Sequence, residues 1–215
     1  MYWTDEGYLL SKTNFDENSI IIDAFTLKHG KYTGVVYGGS SRKNKRNFQI
    51  GNKILFNWKS KNENRTGYFN VELIEPISPM FFDNKKKIFS ILSATSLLKI
   101  LLPERQINEN IYNSFEKMIN NLRTNSWIQN YILWEFSLIK ELGYEITFNE
   151  SKNFIMVNNK SLKVPKILYA NNHEIRNSDV KEGLIFCKLL LIDNFIEPNK
   201  LKFPNIRNIL EEFYY

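Results

Sequence analysis

Tyr32-Thr33-Gly34-Val35-Val36-Tyr37 runs into Gly38-Gly39-Ser40-Ser41 and then into Arg42-Lys43-Asn44-Lys45-Arg46. The first six residues are mostly β-branched or aromatic and read as a strand. The paired glycines stop it, and the serines lead into a loop that carries four cations in five residues. Similar segments lie on either side. Ser19-Ile20-Ile21-Ile22-Asp23-Ala24-Phe25 comes before, with His29-Gly30 as a turn signal. Lys53-Ile54-Leu55-Phe56-Asn57-Trp58 comes after, ending in the polar turn Lys59-Ser60-Lys61-Asn62-Glu63-Asn64. Gly67-Tyr68-Phe69-Asn70-Val71-Glu72-Leu73-Ile74 partly alternates polar and apolar, as a half-buried strand does. An opening strand around residues 7–15 makes five. Five short strands in so little chain predict a small closed barrel, because closure removes exposed edges. An OB-fold is the commonest five-stranded choice, although strand count alone leaves an SH3-like barrel open.

The pattern changes after Pro76 and Pro79. Residues 86–102 are apolar on nearly all sides, which predicts a buried helix ended by Pro103. Ile111, Tyr112, Phe115, Met118, Ile119 and Leu122 share one face at helical spacing. A third helix is expected from Ser126, with Gln129 three residues on completing a capping-box pattern. It runs through Trp127, Tyr131, Trp134, Leu138 and Leu142 to Gly143, and its aromatics read as core. Phe154-Ile155-Met156-Val157, a turn at Asn158-Asn159 and Leu162-Lys163-Val164 read as a small ribbon. A further helix is expected over 178–195, capped by Ser178 or Asp179, and a short one over 206–215. No internal repeat is visible. The fold class is therefore α+β: a five-stranded OB-type barrel in a domain of residues 1–79, then a helical domain of residues 80–215 with a β-ribbon near 150–168.

Composition narrows the function. The apolar share of 43% builds a real core, so the chain is not a disordered one. A net charge of +6 favours an anionic partner such as nucleic acid. One cysteine, Cys187, can form neither an internal disulfide nor a cysteine-based zinc site, and points to a reducing compartment such as the cytoplasm. It sits in the apolar run Leu184-Ile185-Phe186-Cys187 and reads as a buried small hydrophobe. No apolar run approaches membrane-spanning length, so no membrane partner is expected.

Catalytic patterns are missing. His29 and His173 are far apart, and a lone turn histidine is usually solvated. Neither a zinc-protease helix nor a nucleophile elbow occurs. The glycines at 34, 38 and 39 half-mimic a phosphate loop, but the lysine that such a loop needs is missing. The acid pairs Asp5-Glu6, Asp16-Glu17 and Glu211-Glu212 read as solvated residues near element ends. We expect a protein that is not an enzyme and uses no cofactor or metal.

The informative signal is uneven charge. Between residues 28 and 65 the cations are Lys28, Lys31, Arg42, Lys43, Lys45, Arg46, Lys53, Lys59, Lys61 and Arg65, and the only acid is Glu63. A loop of Arg42, Lys43, Lys45 and Arg46 can follow a phosphate backbone and release counterions, with Lys31, Lys53 and Lys59 as secondary contacts. Tyr32, Tyr37, Phe48, Phe56, Trp58 and Tyr68 are interleaved with these cations. Two or three of them are expected on the surface, where they would stack bases.

Taken together, certain stretches resemble the bacterial RecO family. In the barrel these are Asp5-Glu6-Gly7-Tyr8-Leu9-Leu10, the run from Ile22-Asp23-Ala24-Phe25 to His29-Gly30-Lys31, and Val35-Val36-Tyr37-Gly38-Gly39 into Arg42-Lys43. Downstream they are Trp134-Glu135-Phe136 through Leu142-Gly143-Tyr144, Asn158-Asn159-Lys160-Ser161-Leu162-Lys163-Val164, Phe195-Ile196-Glu197-Pro198 and Pro204-Asn205-Ile206-Arg207. The resemblance covers nearly the whole chain. It implies an OB-fold followed by a helical domain, binding of single- and double-stranded DNA, and annealing of complementary strands. It also implies loading of the RecA recombinase together with RecR, RecF as a further partner, a contact with the C-terminal tail of the single-stranded DNA-binding protein, and a nucleoid-associated location. Two features depart from the family. The cysteine zinc cluster of some members cannot form here. Ile132-Leu133 also stand where some relatives carry arginines, so a contact with the acidic tail would move to Arg123, Lys117 and Lys140 beside exposed parts of Trp127 or Tyr131.

Three rival readings have separate tests. An RNA-binding barrel would prefer RNA to DNA of equal length. A protein-protein adaptor would bind no nucleic acid at physiological salt. A nuclease without a recognisable motif would cleave when magnesium or manganese is added.

Overall fold

The structure is a computed structural model that describes residues 1–41, 47–62, 66–144, 154–157, 160–169 and 175–215. Five strands come first: β1 (Tyr2–Asn14), β2 (Ser19–Thr26), β3 (Gly30–Tyr37), β4 (Lys53–Lys59) and β5 (Gly67–Glu75). They close into a barrel in the order β1-β2-β3-β5-β4, with β4 returning to pair with β1. All pairs are antiparallel except β3 with β5, which run parallel. This is the expected OB-type barrel. β1 begins at Tyr2 rather than near residue 7, because its first half pairs with β4 and its second half with β2.

Side chains alternate along the strands as the period of two requires. Ile54, Phe56 and Trp58 point inward from β4, and with Leu9, Ile20, Ile22, Ala24, Val36, Phe48 and Phe69 they fill the barrel. Helix α1 (Lys85–Leu101) starts at Asn84, whose side chain accepts the Lys87 N–H at 3.2 Å. It buries Ile91, Ala94, Leu97 and Leu98 and ends before Pro103. Lys99 of α1 reaches the barrel, with its Nζ 3.0 Å from Asp23 Oδ2 and 2.9 Å from Ser11 Oγ.

Further on come α2 (Glu109–Asn121), α3 (Trp127–Glu141), the hairpin of β6 (Phe154–Val157) and β7 (Lys160–Lys163), α4 (Asn177–Leu191) and α5 (Asn205–Glu212). The chain divides into two compact units, Met1–Tyr112 and Asn113–Tyr215. Ile111, Tyr112, Phe115, Met118, Ile119 and Leu122 are all buried, as their spacing predicted. In the second unit Glu135 and Arg207 are fully buried partners. Arg207 Nε donates to Glu135 Oε1 at 2.5 Å, and Nη2 donates to Glu135 Oε2 at 3.0 Å and to the Leu184 carbonyl at 2.8 Å. Tyr131 Oη donates to Glu135 Oε1. This network joins α3, α4 and α5.

Local expectations need correcting at several points. Ser126 makes no side-chain cap, and Gln129 instead donates to the Ile167 carbonyl at 3.2 Å. The cap residue of α4 is Arg176, because Asp179 lies inside the first turn and accepts the Arg176 N–H at 3.0 Å. That helix ends at Leu191 and passes into a wider π-type turn, Ile192–Ile196. Two acid pairs are not simply solvated. Asp5 is buried and accepts the Lys28 N–H at 2.8 Å. Glu211 is buried too, 3.4 Å from Lys188 Nζ. Cys187 is buried, and that burial holds its thiol well above its usual range.

Candidate nucleic-acid interface

Tyr2, Lys59 and Tyr68 come together through strand register alone. Tyr2 of β1 faces Lys59 of β4, and Lys59 faces Tyr68 of β5. Directly opposed residues share a sheet face. Since Trp3, Trp58 and Phe69 belong to the inner layer, their neighbours Tyr2, Lys59 and Tyr68 point outward. Tyr68 pairs with Val35 across the parallel β3-β5 step, and Tyr37, two residues on, is on the same side. The Tyr37 and Tyr68 rings lie 6.2 Å apart, centroid to centroid. Tyr2 is 72% exposed, Tyr37 70% and Tyr68 44%, so three rings and one ammonium form an open row across four strands.

A row of this kind offers π faces for stacking and a cation for phosphate. It lies where β3 gives way to Gly38-Gly39-Ser40-Ser41. Ser40 Oγ donates to the Glu17 carbonyl at 2.8 Å, which ties the start of that connection to the β1-β2 turn. Arg42, Lys43, Lys45 and Arg46 follow in sequence and lie outside the described residues, as does His173.

Of the six aromatics singled out, Tyr37 and Tyr68 face solvent and Tyr32 is half-buried. Phe48, Phe56 and Trp58 belong to the core. This matches the expected two or three. The three described lysines are spread over the barrel. Lys59 belongs to the row. Lys53 is six residues away on β4, roughly 20 Å along the strand, where it lies 3.6 Å from Glu6 and over the Tyr8 ring. Lys31 Nζ donates to the Lys99 carbonyl at 2.7 Å. Burial holds its pKa below the usual lysine range, although the acids Glu104 and Asp23 work in the opposite direction.

Two sequence expectations change here. His29 is not a solvated turn residue: its Nδ1 lies 3.2 Å from Asp5 Oδ2 and its ring stacks on Trp3. Tyr131 is fully buried and offers no surface to a peptide, while Trp127 is half-buried. Lys140 lies over the Phe136 ring, 4.8 Å from its centroid. Sequence reasoning missed Tyr2. Its signal was the inward series Trp3, Asp5, Gly7, Leu9, which puts Tyr2, Thr4 and Glu6 outside.

Among the described residues no group of three or more His, Cys, Asp or Glu side chains is placed to hold a metal ion. Nor is any helix long and apolar enough to cross a membrane.

Residues 1–77 match the family model described as Recombination protein O N terminal, and residues 86–152 match Recombination protein O C terminal. The chain is 30% identical to the DNA repair protein RecO of Orientia tsutsugamushi (strain Boryong), over 98% of this chain and 96% of that one. It is 32% identical to the DNA repair protein RecO of Rickettsia felis, over 88% of this chain and 80% of that one.

Proposed function

The chain belongs to the RecO family of DNA repair proteins, and from that premise we propose that it is a non-enzymatic mediator that holds DNA on its barrel and anneals complementary strands. The observation that carries this reading is the exposed row of Tyr2, Lys59, Tyr68 and Tyr37 at the end of the barrel from which the basic stretch departs. In the proposal the rings stack bases of single-stranded DNA, and Arg42, Lys43, Lys45 and Arg46 neutralise phosphates. Lys59 acts with them, and Lys31 and Lys53 are secondary contacts to either single- or double-stranded DNA. Neutralising phosphates on two strands at once lowers their mutual repulsion and so favours pairing. The domain of residues 1–79 is then the DNA-binding one. By family analogy RecR, RecA, RecF and the acidic tail of the single-stranded DNA-binding protein are proposed partners, and the nucleoid is the proposed location.

The test is strand annealing with two complementary fluorescent oligonucleotides. Native protein is compared with Arg42→Glu/Lys43→Glu/Lys45→Glu/Arg46→Glu and with Tyr37→Ala/Tyr68→Ala, the fold of each checked by circular dichroism. Acceleration by native protein, lost in the charge variant and reduced in the tyrosine variant, is the expected result. Unchanged annealing by both folded variants would overturn the site. No DNA binding by native protein would overturn the reading itself.

A further inference from the structure

The barrel has an open mouth, and its lining is unusual for a core. At this end the inward layer is built from rings. Trp3 stacks flat on His29, with centroids 4.2 Å apart and planes at 9°. Trp58 lies nearly parallel to Trp3 at 5.8 Å, and Tyr32 meets both indoles edge-on at 5.0 and 5.2 Å. Tyr2, Trp3, His29, Tyr32, Trp58 and Arg105 border a cavity of about 400 Å³. That lies within the range of about 300–1,000 Å³ typical of sites for small organic groups.

Its lining is held by specific bonds. Asp5 Oδ2 accepts the Lys28 N–H at 2.8 Å and lies 3.2 Å from His29 Nδ1, which fixes the β2-β3 turn and the imidazole plane. Arg105 donates its backbone N–H to the Lys31 carbonyl at 2.8 Å. Its φ of 61° is left-handed, a conformation that costs a non-glycine residue energy and survives where surroundings enforce it. The guanidinium carbon lies 5.4 Å from the Tyr32 ring centroid.

The chemistry of the lining selects an occupant. Ring faces and edges suit a flat group. A cation is disfavoured, because the Arg105 guanidinium already lies over Tyr32. An anion joined to that group is favoured instead, because Arg105 brings a guanidinium to the rim of the cavity. What remains is a flat group attached to an anion.

We propose that the barrel mouth is a nucleobase pocket, which takes one base unstacked from a DNA strand held on the outer row, with Arg105 on the adjoining phosphate. Tyr2 links the two places, since it stands in the outer row and borders the mouth. This inference rests on the DNA-binding reading but is separable from it. Aromatic contact with one base adds to backbone binding without needing a particular sequence.

The experiment uses the full chain and a 15-nucleotide single strand with one 5-iodouracil, cross-linked by near-ultraviolet light and mapped by mass spectrometry. Cross-links at Trp3, Tyr32 or Trp58 are expected. Affinity is measured in parallel by fluorescence anisotropy for native protein and for Arg105→Gly, since glycine accepts the left-handed backbone without strain. Severalfold weaker binding by the folded variant is expected, with a log-log salt dependence shallower by about 0.7, the mark of one lost phosphate contact. If the strand binds and anneals but cross-links map only to Tyr37 or Tyr68, and Arg105→Gly binds as native, the pocket is refuted and the outer row stands. If no strand binds, both readings fall. Displacement of mouth cross-links by a peptide ending in an aromatic residue, with strand affinity unchanged, would reassign the mouth to a protein tail and overturn the proposal.

Discussion

At the residue scale, buried charge is matched by close partners in both units. Arg207 and Glu135 are wholly buried and bonded in a two-pronged fork. Burial alone would lower the guanidinium's pKa, but Glu135 more than offsets it and the net direction is up. Removing one partner strands the other in a dry site. Arg207→Leu is therefore expected to lower stability by about 3–5 kcal/mol, measured by urea denaturation. A companion Glu135→Leu/Arg207→Leu variant should recover part of that loss, and no recovery would count against the stranded-charge account. Asp23 in the barrel is a milder case. Burial pushes its carboxyl up, but hydrogen bonds from Ser11, Thr33 and Lys99 outweigh that and hold it below the usual aspartate range. A carboxylate whose folded pKa is depressed gives stability that is fully present above its unfolded pKa and is lost as pH falls through the folded one. Acid unfolding of native protein should steepen below about pH 4. Asp23→Asn should flatten that limb while leaving the basic side of the profile alone, and equal slopes in both proteins would remove Asp23 as the cause.

At the scale of elements, the β2-β3 turn carries the most constraint. Gly30 has φ +73°, and a Cβ there would come within 2.0 Å of the Gln106 carbonyl oxygen. Gly30→Ala thus meets both backbone strain and a clash with main chain. The expected loss is at least about 1–3 kcal/mol, read as a lower denaturation midpoint, and an unchanged midpoint would mean that the turn relaxes freely. The outer row is an element-scale feature of a different kind. No single strand contains it: β1, β4, β5 and β3 each supply one side chain, and only their pairing registers bring Tyr2, Lys59, Tyr68 and Tyr37 into line. A one-residue slip of β4 would turn Lys59 inward and split the row.

For the whole molecule, the net charge of +6 conceals a marked local bias. The stretch from residue 28 to residue 65 holds ten cations against one acid. If four loop cations each neutralise a phosphate of a single strand, replacing them should make the log-log dependence of binding on salt shallower by about 3 units, at roughly 0.7 per contact. Anisotropy titrations at several salt concentrations measure this, and an unchanged slope would show that those cations do not touch the backbone. Much of this organisation was legible in advance. Alternating apolar residues with glycine stops announced five strands, and helical spacing announced the buried face of Ile111, Tyr112, Phe115, Met118, Ile119 and Leu122. Helix ends were less legible. Ser126 and Gln129 have the right spacing for a capping box, yet a carbonyl from elsewhere in the chain competes for Gln129. Asp5 and His29 were misread for the same reason: each looks like a surface residue until the closure of the barrel brings them together.

The sequence by itself determined the barrel, the helical elements and the run of cations, because apolar periodicity, glycine and proline placement and charge are properties of neighbouring residues. Tertiary structure decided which aromatics reach solvent and which form the mouth. Trp3, Tyr32 and Trp58 are separated by tens of residues, and the alternation that turns them inward becomes a cavity only when β1 closes on β4. It also decided that Arg207 is a buried partner rather than a surface cation, since its acceptor Glu135 lies 72 positions away and only packing joins them.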